Sequence, residues 1–163
     1  MPLILPSLQS ELIDVYSKGK TGNPEPTLVG LKTGTAYFNY VSAGMNAAGF
    51  PFTSMPGTVD LQDGIGNLLK KKGQMGTSFA ASLSMKFNDC LMTFLSVNQT
   101  SIITAAGTSA LFQELNKLFS KPKGHASLFA TALGRALHNF TLSATVIGVV
   151  PDTPGIPFAG PIS

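Results

Sequence analysis

Any chemistry in this chain has to come from two histidines, one cysteine and a few carboxylates. His125 and His138 are the only imidazoles, and Cys90 is the only thiol. The histidines are thirteen residues apart, whereas side chains on one helical face recur every three or four residues. They are therefore not expected to bind a metal together, and no cysteine and histidine cluster of the zinc-binding kind is present.

A hydrolase would need His138 as a base for a serine, with Asp89 orienting the imidazole. No serine lies in a nucleophile-elbow pattern. Cys90 falls inside a periodic apolar segment, where a cysteine is usually a small core residue and not a reactive thiol. The stretch DGIGNLL, residues 63–69, has two glycines spaced like the start of a dinucleotide loop, but no strand precedes it. We expect no catalytic residue, no metal, no cofactor and no enzymatic activity.

The basic residues do not favour nucleic-acid recognition. The net charge is +3, with a single arginine, Arg135, and no tryptophan. Nucleic-acid binding usually requires a dense basic face with arginine or aromatic readers. The run Lys70 to Lys72 stands directly before Gly73, where cations complement the exposed carbonyls of a helix C-terminus. We therefore expect no nucleic-acid readout.

The composition indicates a protein that buries surface against other subunits. Charged residues are only 12% of the chain, about half of the usual share of 25%. A neutral, mildly hydrophobic surface is a solubility liability for a free monomer but is expected in an assembly. The N-terminus lacks the pattern of a secretion signal, and polar residues interrupt the apolar stretches at 76–97 and 136–150. We expect no stable membrane span and assembly in the cytoplasm.

Periodic apolar residues predict a helical body. The clearest signal runs from Phe79 to Leu95, where large apolar residues recur every four positions. The stretch KGKTGNPEPT, at 18–27, concentrates turn residues and predicts a linker. Helices are predicted to begin at Ser7 and end at Gly19, and to cover 33–49, a short stretch from Thr58 or Asp60 to the lysine run, 76–97, 109–120 and 126–140.

The pattern changes after His138, where apolar and polar residues alternate. A period of two predicts a strand that begins near Phe140. A lone strand leaves its backbone groups unpaired, so it needs a partner. Short strands at Leu3–Leu5 and Leu28–Leu31 are candidates within the chain, and the sheet of a neighbouring protein, joined by strand addition, is the alternative.

The sequence thus predicts a mainly α fold: a small helical domain with an extended, proline-rich C-terminal arm and some β structure from terminal segments. Residues 1–32 form an N-terminal helix and linker, 33–139 a helical core domain and 140–163 the arm. Two placements of the arm remain open, packing on another subunit or folding back to seal its own core. The residues expected to bind a partner are Leu142, Val146, Val149, Ile156, Phe158 and Ile162.

Two segments near the C-terminus carry a family resemblance. The helical body rich in small residues, followed by TLSATVIGVV and PGIPFAGPIS, resembles small virion structural proteins of tailed bacteriophages, particularly tail, neck or baseplate components. The resemblance implies a many-copy structural subunit located in the virion after assembly in the host cytoplasm. Its partners would be copies of itself and other structural proteins of the particle.

Two further function classes remain from the sequence. Amphipathic helices at 76–96 and 126–140 could open onto a bilayer, which would make the protein membrane-active, although their polar faces carry few cations. The small hydrolase with His138 as its base is the other class.

Overall fold

A computed structural model describes residues 3–17, 25–71, 76–96, 102–120, 125–150 and 155–163. In these ranges the chain forms six helices and five strands. The helices are α1 (Leu5–Tyr16), α2 (Pro26–Ser42), α3 (Thr58–Lys70), α4 (Gly76–Leu91), α5 (Thr108–Ser120) and α6 (Ala126–Leu142). The strands are β1 (Phe52–Ser54), β2 (Leu95–Ser96), β3 (Ile102–Ala105), β4 (Ala144–Val150) and β5 (Ile156–Pro161).

The described helices form three hairpins that repeat one another along the chain. The second helices of the hairpins, α2, α4 and α6, begin at residues 26, 76 and 126, so the repeat is 50 residues long. Tyr37, Phe87 and Leu137 occupy the same place in the repeat, and each is fully buried. In the first helices, Leu8, Leu12 and Val15 of α1 occupy the same kind of buried stripe as Leu61, Ile65 and Leu68 of α3.

The hairpins pack into a closed ring. Within each hairpin α1 packs on α2, α3 on α4 and α5 on α6. Between hairpins α2 packs on α3, α4 on α5, and α6 returns to α1. The second helices meet inside the ring, where Tyr37 and Phe87 make an edge-to-face contact at 5.1 Å and the Tyr37 hydroxyl lies 3.0 Å from the Thr141 hydroxyl. A buried polar group therefore has its partner in the core.

Two small antiparallel sheets join the ends of the helices. β1 pairs with β2, and the second sheet has the order β3-β4-β5. In the third hairpin β3 precedes α5, β4 follows α6, and Ala105 to Ile102 pair with Ala144 to Ile147. β1 and β2 frame α3 and α4 in the same way. β5 pairs with β4 along its whole length.

The first hairpin obtains its strand from the other end of the sequence. Met45 follows α2, and its amide nitrogen and carbonyl oxygen bond to Ser163 at 2.7 and 3.0 Å. Ile162, beside it, is buried with Leu3. The residues after β5 therefore close the ring by completing the first hairpin.

The predicted fold class is confirmed, because the described chain is mainly helical with a few short strands. The helices predicted from 58, 109 and 126 are found with small shifts in their ends. The helix predicted at 76–97 ends at Leu91, and Leu95–Ser96, predicted as its last turn, forms β2 because these residues pair with β1. The linker at 18–27 lies mostly outside the described residues, as do Lys72, Pro151 and Pro154.

Several predicted bounds are wrong. The helix expected at 33–49 runs from Pro26 to Ser42, so the strand expected at Leu28–Leu31 is helical, and Leu5 begins α1. Pro26 is preorganised for the first turn of α2. The strand expected near Phe140 begins at Ala144, because Leu137, Phe140 and Thr141 continue the buried face of α6.

Glycines allow α2 and α3 to approach closely. A Cβ added to Gly30 would contact the Gln62 carbonyl oxygen and lie 2.7 Å from the Gly66 amide nitrogen. These are backbone atoms, which cannot rotate away. A Cβ at Gly66 would meet its nearest atom, Thr27 Cα, at 3.4 Å, which is ordinary contact. The close approach therefore requires glycine at position 30 on α2, whereas position 66 on α3 can accept a larger residue.

Gly30→Ala is expected to lower the free energy of unfolding by about 1–3 kcal/mol, because the helices must move apart. Gly66→Ala is the matched control and should be neutral or stabilise by up to about 1 kcal/mol, since alanine favours a helix interior. Urea denaturation followed by circular dichroism measures both. Equal effects of the two substitutions would contradict the close approach at Gly30.

Candidate functional site

The surface that stands out is one side of the β4 and β5 hairpin, which we call the outer sheet face: Ile147, Val149, Pro157 and Ala159. In β4 the side chains alternate, with Ala144 and Val146 buried and Ile147 and Val149 exposed by 47% and 42%. Ile147 pairs with Ala159, and Val149 pairs with Pro157. Paired residues of neighbouring strands point to the same side of the sheet. The four side chains therefore form one continuous apolar surface.

No charged residue interrupts this surface. β3, β4 and β5 contain no lysine, arginine, aspartate or glutamate. Solvent-facing sheet positions are ordinarily polar, because an antiparallel sheet alternates core-facing apolar residues with exposed polar ones. An exposed, uncharged sheet face is therefore typical of a surface that another protein covers.

The six residues predicted to bind a partner divide into two groups. Leu142, Val149 and Ile156 are exposed, with Ile156 at the tip of the hairpin. Val146 and Ile162 are buried in the chain's own core, and Phe158 packs partly against it. The buried pair is not available to a partner in this conformation, because the strands fold back onto their own domain. Of the two placements left open from the sequence, this arrangement corresponds to an arm that folds back over its own core.

The sequence interpretation missed three residues of the outer sheet face, Ile147, Pro157 and Ala159. Ile147 was grouped with the polar positions of the alternation, where it follows Thr141, Ser143 and Thr145. The signal that identifies it is the loss of polarity at that phase after Thr145, since both Ile147 and Val149 are apolar. β4 is therefore apolar on both sides, and the side that carries Ile147 and Val149 is exposed.

The free edge of β5 is poorly suited to pairing with a further strand. Ser163 directs its amide and carbonyl towards Met45, and alternate residues of a strand point their amides to the same side. Residues 157, 159 and 161 therefore face that edge, and two of them, Pro157 and Pro161, have no N–H to donate. Prolines on an edge block strand addition, so the face and not the edge is the better docking surface.

A cleft between α3 and α4 forms a partly polar cavity. It has a volume of about 350 Å³, with Leu61 and Cys90 among its apolar lining residues and Asp60, Asp63 and Asp89 among its polar ones. Gly64 and Lys86 line it too, and a Cβ added to Gly64 would lie 2.8 Å from Lys86 Cδ. Among the described residues no group of three histidine, cysteine or acidic side chains could hold a metal ion.

Cys90 is not an activated nucleophile. Its side chain is buried, and its sulfur lies 3.3 Å from the Met55 sulfur. Burial, with smaller contributions from the nearby charges of Asp60 and Asp89, raises the pKa of the thiol from 9.0 to about 12. The thiolate, which is the reactive form, is therefore scarce at neutral pH.

His138 and Asp89, paired in the hydrolase interpretation, have other partners. The His138 Nδ1 forms a short hydrogen bond with the Tyr40 hydroxyl across α2 and α6. Asp89 accepts a hydrogen bond from Asn88 at 3.3 Å. Burial lowers the pKa of His138 and raises the pKa of Tyr40, so both groups are neutral where they meet. His125, the other imidazole, is at the start of α6.

No protein-family model, curated protein or solved structure matches this chain. The described helices include none that is both long and apolar enough to cross a membrane.

Cys90 should react with a thiol reagent about a thousandfold more slowly in the folded protein than a cysteine of ordinary pKa, since three pKa units separate their thiolate fractions. Ser109→Cys, on an exposed position of α5, gives a reference thiol in the same chain. Reaction with Ellman's reagent, followed by absorbance, resolves a fast and a slow phase in this variant. A single fast phase for both thiols would contradict the buried, protonated state of Cys90.

His138 should make the stability depend on pH near its ordinary pKa of 6.5. The unfolded chain binds a proton below that value, while the folded chain resists it because the folded pKa is lower, so the free energy of unfolding falls as the pH drops. His138→Gln keeps a hydrogen-bonding partner for Tyr40 but does not titrate. The urea midpoints measured above and below pH 6.5 should differ less in this variant than in the unmodified protein, and an equal difference in both proteins would refute the assignment.

Proposed function

We propose that this protein is a structural subunit of a larger assembly, in which the outer sheet face is covered by neighbouring copies. The observation that carries the proposal is a continuous, uncharged, solvent-exposed surface formed by Ile147, Val149, Pro157 and Ala159. Burying a side chain such as isoleucine or valine contributes about 1.5–3 kcal/mol. A few such residues from each copy supply enough free energy for association.

Other features of the chain support a binding role. Leu142, at the end of α6, and Ile156, at the start of β5, are two further exposed apolar side chains near this sheet in sequence. The 12% content of charged residues leaves much of the remaining surface neutral. The resemblance of the C-terminal segments to small structural proteins of tailed bacteriophages suggests a tail, neck or baseplate component, located in the virion after assembly in the host cytoplasm. Other structural proteins of the particle would be further partners.

The other two function classes have less support. A membrane-active protein would have to open its amphipathic helices, yet Phe87 of α4 and Leu137 of α6 are fully buried inside the ring. A hydrolase would need a histidine oriented by a carboxylate, whereas His138 bonds to Tyr40. We therefore favour a function in assembly.

Ile147→Thr/Val149→Asp is expected to weaken self-association at least tenfold, because it removes apolar contact and places a charge where water is excluded. Tenfold corresponds to about 1.4 kcal/mol, less than burial of one such side chain supplies. Light scattering after gel filtration, over a range of protein concentrations, measures the change. Threonine is chosen at position 147 because, as a β-branched residue, it should keep the strand conformation.

Leu128→Asp is the matched control, since Leu128 on α6 is 64% exposed but lies outside the outer sheet face. It should associate like the unmodified protein. Circular dichroism should show the same helical content in all three proteins. Self-association that survives in Ile147→Thr/Val149→Asp, or that is lost equally in Leu128→Asp, would argue against the outer sheet face as the contact.

A further inference from the structure

The three hairpins differ in how their strands are attached. Met45, Leu95 and Thr145 follow the second helices at the same place in the 50-residue repeat, and they pair with Ser163, Ser54 and Thr104. Ser54 and Thr104 lie only a few residues before the first helix of their own hairpin. Ser163 lies at the opposite end of the chain from the hairpin that it completes.

The place that receives Ser163 fits its strand closely. We call it the closing slot, formed by Leu3, Gly44, Met45 and Ala47. A Cβ added to Gly44 would lie 2.8 Å from Leu3 Cδ2 and 3.1 Å from the Ser163 carbonyl oxygen. A Cβ added to Gly160 would lie 2.5 Å from that of Ala47. The strand and the slot are therefore in contact at backbone distance, and Ile162 is buried between them.

β5 can leave the closing slot without unfolding a helix. Withdrawal of β1 would pull on α3, and withdrawal of β3 would pull on α5, because two or three residues join each strand to its helix. β5 is joined instead to β4, and Gly155, with φ of +72°, lies in the turn between them. Among the described strands, β5 is thus an element that one copy can transfer whole.

Transfer to a second copy would remake every contact that it breaks. The same pairing with β4 and the same slot beside Met45 are present in each copy, so reciprocal exchange leaves the contact energy nearly unchanged. The equilibrium between exchanged and unexchanged copies then depends on two concentrations. One is the local concentration of neighbouring copies, and the other is the effective concentration of a strand tethered to its own copy, which is of millimolar order for short connections. Exchange of an identical element is a low-cost route to association.

We propose that β5, with Ile162 and Ser163, is exchanged between copies in the assembled state and fills the closing slot of a second copy of this chain. The exchange rests on the proposed function, because copies held together through the outer sheet face raise the local concentration of slots. The outer sheet face brings copies together, and the exchanged strand then links them.

A disulfide placed across the closing slot tests the exchange in the full-length chain. Met45 and Ser163 exchange both backbone hydrogen bonds, and such pairs have Cα atoms about 5.5 Å apart, within the range that a disulfide spans. Met45→Cys/Ser163→Cys is oxidised after equilibration at low and at high protein concentration and run on a denaturing gel without reductant. We expect covalent dimers that increase with concentration. Cys90 should not contribute, since the unmodified protein should give no link.

Thr104→Cys/Thr145→Cys is the matched control, at the corresponding pair of the third hairpin. Because β3 is tied to α5, this pair should link only within one chain, at monomer mass, at every concentration. If Met45→Cys/Ser163→Cys likewise gives only monomer-mass product while light scattering shows self-association, β5 stays in its own copy and the exchange is refuted although the proposed function stands. Unlinked cysteines in an associated sample would refute it too, and a monomer with an internal link would refute both.

Discussion

The hydrogen bonds between Met45 and Ser163 join the first of three helical hairpins to the residues that follow the last described strand. The contacts of α2 with α3 and of α4 with α5 form between elements that follow each other, whereas α6 must return to α1 across almost the whole sequence. That return is held by Gln9, whose amide donates to the Thr131 carbonyl at 3.0 Å, and by an edge contact of Tyr16 with Phe129. Without the closing strand, Leu3 would lose its contact with Ile162. The first hairpin would also lack the backbone pairing that β1 and β2 give the second hairpin and β3 and β4 give the third.

The hairpins resemble one another in their buried positions and differ at their surfaces. Tyr37, Phe87 and Leu137 differ in chemistry but are all fully buried, because the ring needs a large side chain at that place in each hairpin. On the outside, Asn39 donates to Glu11 between α2 and α1, whereas Gly64 and Lys86 line a cleft between α3 and α4. The strands also differ, since β4 has seven residues and β2 has two. The candidate functional surface therefore lies where the hairpins differ from one another, in the β4 and β5 strands of the third hairpin.

The sequence predicted the elements whose signal is local and missed those that depend on distant partners. α5 follows from apolar residues at helical spacing, but α2 was placed too late in the chain, because Leu28–Leu31 was interpreted as a candidate strand. The close contact of Gly30 and Gly34 with α3 is not visible in the sequence. β1 and β2 are too short for a periodic signal. Val146 and Ile162 were read as partner contacts because an apolar strand reads the same whether its own core or another protein covers it. The outer sheet face depends on which β4 side chains point outward. The buried Ala144 and Val146 establish this, and the sequence marks it only by the apolar Ile147 and Val149 at the other positions.

The prolines of β5 allow an exposed apolar surface while limiting the addition of further strands at its edge. An exposed apolar strand with a complete row of amides would recruit further strands without end. In β5, Pro157 and Pro161 remove donors from the outward edge, while Ser163 uses its own in the bond to Met45. Association is then directed to side-chain packing on the outer sheet face, or to exchange into one slot per copy. In both cases each copy contacts a defined set of neighbours, so the prolines direct association away from unlimited pairing at the strand edge.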